Sequence, residues 1–202
     1  MKGKFSKDVR ADKDALHMSC PEVVGAYISV QLAQYIRFKR VAELCCAVGL
    51  LSVQLAKVMD KVYAVDLNSD RIRHARYNAR LYGVEDRIEF IVGDVLDEDL
   101  LKSIRADVAV LDPDWRADPK NTALAGSVDD THPSLRKMFS LTQKHIAKDI
   151  VTRIPKDWTF KTLESLGACR IDNIHWQDRL RFRIAFFLQE IDRCHQKSWH
   201  FR

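Results

Sequence analysis

Apolar residues recur at helical spacing between Val24 and Tyr35 (Val24, Tyr27, Ile28, Leu32, Tyr35), the period of a helix with one buried face. Cys20-Pro21-Glu22 opens that helix. Proline suits a first helical position, where its missing N–H removes no bond, and Glu22 faces the positive helix end. From Arg40 the pattern changes. Residues 41–46 form a short apolar run that predicts a buried strand, 47–49 a turn, and 50–58 a helix. Residues 61–66 (KVYAVD) predict a second strand. Asn68 is suited to cap a helix running to Tyr82, with Ile72, Ala75 and Ala79 on its inner face, and Gly83 closes it. Strands are expected at 87–92 and 107–111, with a short helix at about 97–104 between them.

Strict alternation of strand and helix predicts right-handed βαβ units and a doubly wound α/β sheet, parallel and covered on both faces. A polar loop from Asp112 to about Thr131 follows, long enough to be functional or mobile. Then come a helix (133–145), a fifth strand (149–154) and a short helix (158–166). Residues 169–176 and 180–191 read as two strands joined by Gln177-Asp178-Arg179, giving an antiparallel edge. The expected organisation is a loose or partly helical arm over 1–17 and one domain over 18–202. A chain of 202 residues with 47% hydrophobic and 30% charged residues fits that plan.

No stretch approaches the roughly 20 apolar residues that cross a bilayer, and the polar N-terminus has no signal-like apolar core. A soluble, cytoplasmic protein with no membrane partner is expected. The cysteines number five, with no CxxC pair; His17, Cys20, Cys194 and His195 match no common zinc spacing, so reduced thiols and no metal are expected. A net charge of +5 is compatible with a nucleic-acid partner and equally with a solvated surface. Arg136, Lys137, Lys144, Lys148, Arg153 and Lys156 read as a solvated face before they read as a phosphate track. Trp158 and Trp176 read as packing residues, and His132, beside the long loop, as a packing or loop residue before a substrate contact.

Four carboxylates sit at or near the ends of successive predicted strands: Glu43, Asp66, Asp94 and Asp112. In an open α/β sheet the ligand crevice lies outside the carboxyl ends of the strands, so the four are expected to converge. Asp66 suits the hydroxyls of an adenosine ribose, because a carboxylate accepts two hydrogen bonds from a diol. Asp94 is placed to accept from the adenine amine, Gly49 lets the backbone come close, and Glu43 faces an ammonium end, partly through water. A nicotinamide dinucleotide fits less well. The turn Ala47-Val48-Gly49-Leu50-Leu51-Ser52 lacks two glycines of the dinucleotide fingerprint, and clustered acids repel a pyrophosphate. A cationic sulfonium tolerates them, which points to S-adenosyl-L-methionine.

The Cys20-Pro-Glu motif, the ELCCAVG turn, YAVD, IVGD and VLDPDW together resemble the trimethylguanosine synthase family of RNA cap guanine-N2 methyltransferases, over about residues 16–115. The resemblance implies a class I methyltransferase fold: a Rossmann-like, seven-stranded, mostly parallel sheet with an antiparallel last strand. It implies a cofactor pocket lined by Cys20, Cys45, Cys46, Ala47, Gly49, Asp66, Leu67, Asp94 and Val95, with Asp112, Pro113 and Trp115 lining the acceptor pocket. Asp112-Pro113-Asp114-Trp115 resembles the Asp-Pro-Pro-aromatic motif of enzymes that methylate exocyclic base nitrogens. By that likeness the Asp112 side chain and the Pro113 carbonyl accept the amine protons, and Trp115 stacks on the base. Three departures stand out: Ala47 and Leu50 replace glycines of the turn, Asp114 replaces the second proline, and little chain precedes the first motif, so cap specificity does not carry over.

The expected activity is methyl transfer to an exocyclic nucleobase amine, guanine N2-like, with RNA as partner. The alternatives are a non-catalytic RNA-binding protein of the same fold, or a methyltransferase for a protein or small-molecule amine. Monomer and homodimer are both open.

Overall fold

The computed structural model describes residues 4–35, 37–118, 123–176 and 178–201. The chain divides into two compact units, Met1–Asp107 and Val108–Arg202.

In the first unit α1 (Lys13–Met18) and α2 (Glu22–Ala33) lead to β1 (Arg40–Leu44), α3 (Leu50–Ala56), β2 (Lys61–Asp66), α4 (Ser69–Tyr82), β3 (Ile88–Val92) and α5 (Glu98–Ser103). The three strands are parallel in the order β3-β2-β1, with Glu43 opposite Ala64 and Asp66 opposite Val92. Val41, Ala42 and Leu44 of β1 are fully buried, as expected of a mostly apolar run interrupted only by Glu43. Each such Val or Leu side chain contributes about 1.5–3 kcal/mol by leaving water. The expected caps are in place. Asn68 accepts from the N–H groups of Asp70 and Arg71, and Gly83 ends α4 in the left-handed region. Asp97 caps α5 in the same way.

The described part of the N-terminal arm is partly helical, as α1 shows, and residues 5–11 are packed. Phe5, Val9 and Ala11 cover a buried cluster of Ala15, Val48 and Leu50. Asn78 of α4, wholly buried, donates to the carbonyls of Arg10 and Val48 at 2.9 Å each and accepts from Arg10 N–H at 2.8 Å. A single buried amide thus ties the arm to the turn after β1.

The second unit holds β4 (Val108–Leu111), α6 (Leu135–His145), β5 (Asp149–Pro155), α7 (Phe160–Leu163), β6 (Arg170–Trp176), β7 (Arg179–Phe187) and β8 (His195–Phe201). Their order is β4-β5-β7-β6-β8. β4 and β5 are parallel, β7 is antiparallel to both β5 and β6, and β8 runs parallel to β6. The β6–β7 hairpin is the expected one, although Gln177 of its turn lies outside the described residues. It does not form the edge. β7 inserts between β5 and β6, and β8, an eighth strand absent from the seven-strand expectation, becomes the outermost of these five. Every residue of β5 is buried, and Ile150, Val151 and Ile154 of β5, Ile171 and Ile174 of β6, and Ile184 and Phe186 of β7 are all fully buried.

The described part of the loop after β4 is held in place. Asp114 and His132 exchange backbone hydrogen bonds of 2.8 and 2.9 Å, and Ala125 N–H donates to the Trp115 carbonyl at 2.7 Å. Trp158, 3% exposed, donates its indole N–H to the Ala125 carbonyl at 2.8 Å, so it is a core residue as expected. The His132 ring meets the Ala117 carbonyl at 2.9 Å.

Candidate active site

Residues Cys45 to Gly49 form a turn built on three left-handed positions: Cys45 (φ 69°), Ala47 (φ 48°) and Gly49 (φ 70°). Only the last is a glycine, and its need is twofold. Its φ favours glycine, and a Cβ there would lie 2.8 Å from the Ala75 Cβ of α4. The turn therefore presses directly on that helix. Leu50 does not crowd the turn; it begins α3, 5% exposed, within the Ala15–Val48 cluster.

Asp66, at the end of β2, clasps the turn. Its Oδ2 accepts from Ala47 N–H at 2.7 Å and its Oδ1 from Asn68 N–H at 3.0 Å. Its own carbonyl accepts from Gly93 N–H at 3.1 Å. A carboxylate oxygen has two lone-pair sites, so each keeps one for a further donor. Two acceptors on one rigid carboxylate match a vicinal diol. Next to it Leu67 is 72% exposed. Asp94, exposed beyond the end of β3, uses Oδ1 to accept from Leu96 N–H at 2.8 Å. Val95 is buried.

Glu43, near the end of β1 and 2% exposed, accepts a short hydrogen bond from the Ser52 hydroxyl of α3. Cys46 is buried, and burial, with Glu43 and Asp66 adding negative charge, pushes its thiol well above the ordinary range. That thiol is a packing group, not a nucleophile. Cys20 is buried just ahead of α2. The structure thus gathers the 45–49 turn, Asp66 and the 93–95 segment at one end of the three-stranded sheet.

In the second unit Asp112 directly follows β4. The β4–β5 register puts Leu111 opposite Thr152, so the next pair is Asp112 and Arg153. They meet in a fork: Arg153 Nε lies 3.0 Å from both carboxylate oxygens and Nη2 lies 2.6 Å from Oδ2. The side chains are 13% and 6% exposed. Burial pushes the Asp112 carboxyl above its ordinary 3.8, and Arg153 pulls against that. Arg153 is accordingly neither a solvated residue nor a phosphate contact, as its position between Thr152 and Ile154 on a wholly buried strand dictates. Of the other basic positions, Arg136 pairs with Asp129.

Trp115 stands over the same group. The Arg153 guanidinium lies 5.2 Å from its ring centre, and Phe182 of β7 packs at 6.0 Å with the planes tilted by 51°. Its indole N–H is buried without a hydrogen-bond partner among the described residues. Pro113 is buried, and Asp114 is held by a fork from Arg116 that includes a 2.5 Å bond. Sequence reasoning missed the Arg153 partner. The usable signal was an arginine in the middle of a short strand rich in isoleucine and valine, next to Ile154.

Known proteins place this geometry in context. An uncharacterized RNA methyltransferase of Clostridium tetani is 39% identical over 71 residues, 34% of this chain and 15% of that protein. A release factor glutamine methyltransferase of Dictyoglomus turgidum is 30% identical over 82 residues, 40% of this chain and 29% of that protein. The matches thus span less than a third of these relatives' own length. Among solved structures, an S-adenosylmethionine-dependent methyltransferase of Agrobacterium tumefaciens superposes with a TM-score of 0.63 at 17% identity, over 86% of this chain and 64% of that one. The fold is that of the class I methyltransferases. Residues 38–187 match the model of the RNA cap guanine-N2 methyltransferases, and the chain belongs to that family.

Proposed function

We propose that this chain transfers a methyl group from S-adenosyl-L-methionine to an exocyclic amine of a nucleobase in RNA. Two free acceptor sites on Asp66 fit the ribose hydroxyls, and the exposed Leu67 beside it fits an adenine face. Glu43 and Asp94 complete an acidic, phosphate-averse surround for a sulfonium nucleoside. Bound there, the cofactor supplies the electrophilic methyl.

The observation that carries the reading is the end of β4. Oδ2 of Asp112 accepts two hydrogen bonds and Oδ1 one, which leaves Oδ1 a single acceptor site for an amine N–H. A base amine is a poor nucleophile because its lone pair is delocalised into the ring. Accepting one proton at Asp112 and the other at the Pro113 carbonyl favours a pyramidal nitrogen, and the remainder is alignment. The kinship to a glutamine methyltransferase favours, as a second reading, a protein amide, which shares the delocalised lone pair.

The test is methyl-labelled cofactor with total RNA, before and after nuclease, in wild type and Asp112→Ala. Nuclease-sensitive label is expected, with transfer in Asp112→Ala lowered about 10²- to 10³-fold, the scale seen when one catalytic hydrogen bond is lost. S-adenosylhomocysteine binding should stay within threefold. Nuclease-resistant label would favour the protein acceptor, and an unchanged Asp112→Ala rate would remove the assigned role.

A further inference from the structure

Asp112 carries its proposed role only if its carboxylate is ionised and fixed in direction, and neither condition holds for an isolated acid in this place. It is 13% exposed, at the end of a buried strand, with a second acid two residues on. Burial and Asp114 both disfavour its charge, and among the described residues Arg153 is the group that favours it. The other charges near the site are engaged elsewhere. Asp114 is forked by Arg116. On β6, Arg170 and Asp172 pair with each other at 3.1 Å, and Arg183 of β7 donates to the Trp158 carbonyl. His132 lies against the Ala117 carbonyl.

We infer that Arg153 is the positioning residue of the reaction: its fork fills three of the four acceptor sites of the Asp112 carboxylate and so aims the remaining one at the substrate amine. The fork is rigid because the guanidinium is itself packed. It lies 5.2 Å from the Trp115 ring centre and 5.3 Å from that of Phe182, and β5 holds its backbone opposite Ile184. One planar group thus sets the direction of the acceptor and backs the indole beside it. A lysine supplies the charge without the two-pronged geometry, and a methionine supplies neither.

Chemically, the amine N–H needs an acceptor. A protonated Asp112 offers a hydroxyl donor instead, which opposes the pyramidal nitrogen. Without Arg153, burial and Asp114 act unopposed, the acid holds its proton to higher pH, and the acidic limb of transfer moves up with it.

This inference rests on the role proposed for Asp112, and the experiment separates the two. Single-turnover methyl transfer to total RNA is followed from pH 5.5 to 9.5 for wild type, Arg153→Lys, Arg153→Met and Asp112→Ala. Melting temperature and S-adenosylhomocysteine affinity serve as controls for folding. In Arg153→Met the rate at pH 7 should fall about 10²-fold or more, and its acidic limb should move up by at least one pH unit. In Arg153→Lys the limb should stay near the wild-type position while the rate remains at least tenfold low, because charge is restored and direction is not. Half-saturating RNA should change less than threefold in both. If Asp112→Ala transfers normally, the underlying reading fails. If Asp112→Ala is inactive but the Arg153→Met limb coincides with wild type, or Arg153→Lys is fully active, Arg153 is a structural residue only and this inference is overturned. Should Arg153→Met not fold, the Arg153→Lys rate decides.

Discussion

Two substitutions two residues apart in the 45–49 turn should change stability in opposite directions. Ala47 sits at φ 48°, a left-handed conformation that costs an L-residue with a Cβ about 1–2 kcal/mol. Ala47→Gly removes that cost and adds about 0.5–1 kcal/mol of backbone entropy in the unfolded chain. The net is a gain of about 0.5–1 kcal/mol. For a domain of this size each kcal/mol moves the midpoint by about 2–4 °C, so a rise of about 1–4 °C is expected. Gly49→Ala does the reverse. It takes on the left-handed penalty at φ 70° and drives a methyl to 2.8 Å from the Ala75 Cβ. Since α4 is fixed at that point by Asn78, a loss of about 2–4 kcal/mol follows from strain and overpacking together. The assay is urea unfolding at pH 7 followed by far-UV circular dichroism, with melting scans in parallel. Ala47→Gly losing 0.5 kcal/mol or more, as a glycine in an ordinary position does, would refute the strained-turn account. So would a neutral Gly49→Ala.

The other consequences concern charge. Asp66→Ala deletes two acceptors proposed for the ribose; at about 1.5–3 kcal/mol for a hydrogen bond to a charged group, S-adenosylhomocysteine affinity should fall by at least 10- to 100-fold in calorimetry, and a loss below threefold would count against the assignment. Asp107, forked by Arg40 and accepting from the backbone N–H groups of Lys39 and Arg40, is held below its ordinary 3.8 by those partners despite the opposing effect of partial burial. A depressed folded-state value means its contribution is complete above pH 3.8 and is lost as pH falls through the lower value. The urea midpoint should therefore decline between pH 4 and pH 2.5 more steeply in wild type than in Asp107→Asn; parallel curves would contradict this.

Much of the first unit was legible because local rules and the fold agree there. The apolar run before Cys46, the Asn68 cap and the Gly83 stop each have one physical meaning, and each strand and helix appears within a few residues of its expected place. The convergence of Asp66 with the 45–49 and 93–95 segments was legible too, since strand ends in a parallel sheet share one side. The second unit was less so. β8 (HQKSWHF) is almost entirely exposed and carries no alternating apolar signal, so nothing in its composition marks a strand. Its existence depends on pairing with β6, a tertiary fact. The Asp112–Arg153 fork joins residues 41 apart in sequence, and an arginine read alone defaults to the surface. Leu50, which replaces a glycine of the family's turn, is the first residue of α3 and packs in the buried cluster with Ala15 and Val48, a placement that depends on the arm folding over it.

The central claim is that the end of the three-stranded sheet is built for an adenosyl nucleoside, and titrating the wild-type protein with S-adenosylhomocysteine in a calorimeter tests it most directly. One saturable site per chain, weakened by Asp66→Ala, is the expected result. A wild-type protein that evolves no binding heat and shows no ligand-dependent rise in melting temperature would contradict the account.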